Sequence, residues 1–147
     1  MSKITQIEYP GWDKKTKPAY TKLKDLIDFK ALDNNLAKLG AEIILKHAEK
    51  IALQKMGIVN AYPHMKNDKY LFLMHPQVDG ERKKEYIGAK KVQQTAALKA
   101  IERYKIWVKV CEELENLERR CHTISRQYQI LLDNLDPEST MSGWHGY

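Results

Sequence analysis

The chain has 147 residues, 43% hydrophobic and 30% charged, with a net charge of +6. That length suits one domain with at most an appendage, and the periodic spread of apolar residues excludes a disordered polyelectrolyte. No apolar run approaches the length of a bilayer span, and the opening MSKITQIEYPGWDKK lacks the apolar core of an export signal, so a cytoplasmic protein with no membrane partner is expected.

In chain order, Pro10-Gly11 between Tyr9 and Trp12 is a turn signal, and residues 1–17 read as an arm. Pro18 suits a first helical turn, and the recurrence of Leu23, Leu26 and Ile27 predicts a short helix over about 18–30. Asp33 or Asn34 is placed to cap a second helix of about 33–56, closed by Gly57. Leu36, Leu39, Ile43, His47 and Ile51 form its apolar stripe, which makes His47 a core histidine, and Gly40 permits a close helix approach.

The aromatic run KYLFLMH, bounded by Asn67-Asp68 and Pro76, predicts a strand, and RKKEYIG predicts a second. The Asp79-Gly80 pair between them is a hairpin turn, giving a β-hairpin over about 69–88. Residues 58–62 are a candidate third strand.

From Ala89 to Asp136 there is neither glycine nor proline. Ala97, Ile101, Tyr104, Val108, Cys111, Leu114, Leu117, Cys121, Ile124, Tyr128, Leu131 and Leu135 recur mostly at alternating threes and fours. One long helix of about 90–135 with coiled-coil character follows from that spacing. Three successive three-residue intervals from Val108 to Leu117 break the register, so the helix either projects and pairs with a second copy or bends there. Asp136-Pro137 ends it. The expected class is mainly α with a minor β part. A helical domain over 1–136 carries the central hairpin, and a flexible tail over 137–147 bears Trp144 and Tyr147.

Catalytic motifs are absent: there is no phosphate-binding glycine loop, no nucleophile elbow and no paired metal-binding histidines. His64 and His75 flank the first strand without metal-ligand spacing. Cys111 and Cys121 are ten residues apart on one helix, roughly 15 Å, too far for a disulfide, so both read as free thiols. Glu112, Glu113, Glu115 and Glu118 with Arg119 and Arg120 form a solvated or interhelical charge face. A non-enzymatic protein without cofactor or metal is expected.

Polyanion binding has more support. Arg82, Lys83 and Lys84 follow the hairpin turn, Lys90 and Lys91 open the long helix, and Lys66 and Lys69 precede the first strand. Such side chains neutralise phosphate, and the helix start after Gly88 offers free N–H groups. Tyr86, with Tyr70 and Phe72, can either stack on bases or pack the hairpin.

YLFLMHPQVDGERKKEYIGAKK followed by a long charged helix resembles a family of uncharacterised prokaryotic and mobile-element proteins, over about residues 69–135. Over about 69–100 it is also similar to the strand–turn–strand–helix arm-binding domains of phage integrases, although Ala89 separates the glycine from the lysine that follows it in that pattern. The resemblance implies a phage or mobile-element setting and DNA binding. Three readings therefore compete. The first is a DNA-binding accessory or regulatory protein, dimeric through its long helix, with Arg82, Lys83, Lys84, Lys90 and Lys91 on phosphate and Tyr86 on a base. The second is a phage-encoded inhibitor that occludes a host defence or nucleic-acid-handling complex. The third is a purely structural oligomer built on the helical seam.

Overall fold

The computed structural model describes residues 18–136 and 138; the expected N-terminal arm and the rest of the expected tail lie outside them. The chain divides into two units between Lys38 and Leu39.

In the first unit, α1 (Ala19–Leu26) starts directly after Pro18, as its sequence predicts. It is shorter than the expected 18–30 because Ile27 turns extended, at φ −81° and ψ 107°. Asp28 then caps the next helix: the Ala31 N–H donates to its carboxylate at 3.0 Å. Thus α2 (Phe29–Met56) begins four residues before the expected 33, and Asp28 rather than Asp33 or Asn34 supplies the acceptor that a helix start requires. No described residue of this unit is buried.

The second unit holds the rest of α2, three strands and α3 (Lys91–Leu135). Gly57 ends α2 at φ 99°, a left-handed conformation that glycine adopts without penalty. The strands β1 (Tyr62–Lys66), β2 (Tyr70–Val78) and β3 (Glu81–Gly88) form an antiparallel sheet in that spatial order. The third strand therefore exists, but it begins where the expected 58–62 ends. Asn67 and Asp68, both at positive φ, turn β1 into β2, with the Lys69 N–H donating to the Lys66 carbonyl at 3.2 Å. Asp79 and Gly80, at φ 52° and 81°, turn β2 into β3, the two-residue turn that Asp-Gly favours.

Pro76 does not end its strand. It lies within β2 where the register shifts, so that His75 and Pro76 together face Lys83. A bulge is the place in an inner strand where a residue without an N–H is tolerated. Leu71 and Leu73, 1% and 2% exposed, join Ile101 of α3 in the core, flanked by Val59, Ala61, Ile87 and Ala97. Burying each leucine contributes about 1.5–3 kcal/mol.

The helix α3 is continuous for 45 residues, which at about 1.5 Å per residue is close to 70 Å. It does not break or fold back between Cys111 and Leu117. The apparent break in register comes from two faces read as one. Ala97 and Ile101 face the sheet. Further along, Trp107, Val110, Leu114, Leu117 and Cys121 are buried or half-buried, at regular intervals of three and four. Val110, not in the expected seam, is 3% exposed.

That second face meets α2. The Glu113 carboxylate accepts a hydrogen bond from Lys46, and Lys50 Nζ lies 5.9 Å from the Trp107 ring centroid. Arg103 Nε donates to the Gly57 carbonyl at 2.6 Å, and the Val59 N–H to the Ala100 carbonyl at 3.1 Å. Residue numbers rise on one helix as they fall on the other, so this part of α2 runs antiparallel to α3.

On α2 the inward stripe is Leu39, Ile43, Lys46, Lys50 and Leu53. His47 is exposed, as are Ile44 and Ile51, so the expected stripe turns away after Ile43. Two lysines take the place of apolar residues because their methylene stems lie against the partner helix while their ammonium groups reach Glu113 and the Trp107 face. The bond to Glu113 holds the Lys46 ammonium above the ordinary lysine pKa.

Candidate nucleic-acid interface

A strand directs alternate side chains to opposite faces, and cross-strand partners share a face. Leu71 and Leu73 are buried towards α3. Their β2 neighbours Tyr70, Phe72 and Met74 therefore point the other way. The register carries β1 residues Tyr62, His64 and Lys66 and β3 residues Lys84 and Tyr86 to that same outer face. None of these residues is acidic. Glu85 belongs to the inner side, where His75 Nε2 lies 2.9 Å from its carboxylate.

The aromatic groups of the outer face are in mutual contact. Phe72 and Tyr86 have ring centroids 5.0 Å apart, and Tyr70 and Tyr86 6.5 Å. Lys84 Nζ sits 4.4 Å from the Phe72 centroid and Lys69 Nζ 5.5 Å from that of Tyr70. Tyr62 is 72% exposed and Tyr86 59%. The face is thus an aromatic platform with ammonium groups laid on it.

At one end, Gln94 in the first turn of α3 locks three segments together. Its Nε2 donates to the Gly88 carbonyl at 2.7 Å and to the Lys69 carbonyl at 2.9 Å. The start of α3, with exposed Lys90 and Lys91, is therefore held beside the β1–β2 turn that carries Lys66 and Lys69. Gly88, at φ 108°, makes the exit from β3 that this junction requires.

Arg82 and Lys83 lie near the other turn. Gly88 follows Arg82 by six positions along β3, roughly 20 Å. The cations expected from the sequence share one supersecondary unit but do not form a single cluster. Lys83 takes the inner face with Glu85. With Arg82 it lines a shallow open cleft that also includes His75, Pro76, Val78 and Glu81.

Tyr62 and His64 also lie on this outer face, on a strand that begins where the expected 58–62 ends. The signal was present: Tyr62-x-His64-x-Lys66 has the same period of two as Tyr70-x-Phe72-x-Met74.

Among the described residues no group of three or more histidine, cysteine or acidic side chains is arranged to hold a metal ion. No helix among them is long and apolar enough to cross a membrane. Cys111 and Cys121 are free and half-buried. The chain matches no known family model, no curated protein and no solved structure.

Proposed function

We propose that this protein binds DNA, without catalysis, as an accessory or regulatory protein of a phage or other mobile element. The observation that carries the reading is the acid-free outer sheet face, where Lys66, Lys69 and Lys84 accompany Tyr62, Tyr70, Phe72 and Tyr86. Ammonium groups release counterions when they neutralise phosphates, and exposed rings offer stacking surfaces. Lys90 and Lys91 extend the positive surface beyond the end of the sheet. The mobile-element setting rests on the resemblance of residues 69–135.

The same reading includes pairing of two copies through the long helix. Part of the α3 seam is engaged by α2, which leaves the distal positions Tyr128, Leu131 and Leu135, at 52%, 37% and 63% exposure, as the surface for it. The test is a fluorescence-anisotropy titration of labelled DNA at two salt concentrations. Binding that weakens steeply with salt supports the function; no detectable binding at low salt overturns it.

A further inference from the structure

We infer that the DNA taken by the outer sheet face is an unpaired strand, whose bases stack on its aromatic platform. The inference rests on the DNA-binding reading above and specifies its ligand.

Duplex and single strand make opposite demands on a protein surface. A duplex hides the faces of its bases in the stack and displays only their edges, which are read by hydrogen-bonding forks such as arginine, asparagine and glutamine. An unpaired strand exposes the π-faces themselves, and aromatic side chains bind these with little regard to sequence. The middle of this sheet face is occupied by Phe72, Met74 and Tyr86, with Tyr62 on the flanking strand. These side chains have no fork to offer a base edge. Arg82 and Gln77, which do, lie beyond the bulge, next to the β2–β3 turn.

The platform is also built to stay in place. Phe72 and Tyr86 are tilted at 56° and in contact, so Tyr86 is backed by Phe72 while remaining 59% exposed. Tyr62 lies diagonally from Tyr86, two strand spacings across and one two-residue repeat along. That places their backbones roughly 12 Å apart, room for about two or three bases. Lys84 and Lys69 lie over the rings, so a strand whose bases stack there carries its phosphates past ammonium groups already gathered at the platform.

The experiment compares an oligothymidylate of about 20 nucleotides, the matching oligouridylate and a DNA duplex of the same length, titrated by anisotropy against the full chain and its Tyr86→Ala and Tyr86→Phe variants. Circular dichroism confirms that the variants are folded. The expected result is oligothymidylate binding at least about tenfold tighter than duplex, a loss of about tenfold in Tyr86→Ala, and near-complete retention in Tyr86→Phe, which keeps the ring. Duplex binding as tight as or tighter than the single strand overturns the inference and leaves the DNA-binding reading standing. An unchanged affinity in Tyr86→Ala overturns the platform. Oligouridylate binding tenfold tighter than oligothymidylate makes the occupant RNA and overturns the choice of DNA. Binding to none of the three overturns both the inference and the reading beneath it.

Discussion

Lys83 and Lys84 are adjacent in sequence and equal in charge, yet the fold assigns them to opposite faces of the sheet. Lys84 pairs across to Met74 on the outer face and lies 4.4 Å from the Phe72 ring centroid. Lys83 sits between Lys84 and Arg82, on the side of His75 and Glu85, against the bulge. Charge reversal at the two positions therefore has unequal consequences for DNA binding. A single phosphate contact contributes about 0.7 to the salt slope for an unpaired strand, so losing the Lys84 contact weakens binding about fivefold at 0.1 M salt relative to 1 M. Lys84→Glu adds a repulsion of similar size, for a loss of about twentyfold. Lys83→Glu acts only through space, across the thickness of the sheet and a Debye length of about 10 Å, and costs about twofold. The effect on folding is small in both cases, since an exposed cation–π contact is worth about 0.5–1 kcal/mol. Anisotropy titrations of both variants between about 0.05 and 0.3 M salt, with thermal melts alongside, measure all of this. Equal losses in the two variants, or a larger loss in Lys83→Glu, would refute the assignment of the outer face as the binding surface.

Three further predictions concern the framework. Leu71→Ala, at a site 1% exposed, is expected to destabilise the second unit by about 3 kcal/mol in chemical denaturation; a cost below about 1 kcal/mol would remove Leu71 from the core it shares with Leu73 and Ile101. The indole Nε1 of Trp107 is buried and finds no hydrogen-bond partner among the described residues. Trp107→Phe should therefore be close to neutral in melting temperature, whereas Trp107→Ala should lower it clearly; a large loss in the phenylalanine variant would mean that the N–H is satisfied. The Lys46 pKa is raised, first by its hydrogen bond to Glu113, from the ordinary 10.5. A folded pKa above the unfolded one means that the pair's stabilisation is complete below 10.5 and is lost as pH rises through the higher folded value. The melting-temperature gap between the native chain and Lys46→Met should be constant through neutral pH and begin to shrink only as pH passes 10.5; a gap already closing near pH 8 would contradict it.

The parts of this fold that were legible in the residues are those that local chemistry dictates. Asp79-Gly80 makes its two-residue turn because few other pairs tolerate two positive φ angles in succession. Gly57 closes α2 for the same kind of reason, and the glycine- and proline-free run after Ala89 forms one helix. The existence of a hairpin beside that helix was likewise readable.

What was not legible is which neighbour each face meets. Lys46 and Lys50 read as polar until α3 supplies Glu113 and Trp107, and only then do their stems count as seam. His47 reads as core until that seam rotates past it. The α3 register looked broken because Ala97 and Ile101 serve the sheet whereas Val110 and Leu114 lie on the face that meets α2. Pro76 looked like a strand end because nothing local announces the bulge that accommodates it. Dihedral preferences act over two or three residues and are written in the residues themselves. The inside of a helix or strand is defined by the surface packed against it, and that surface lies tens of residues away along the chain.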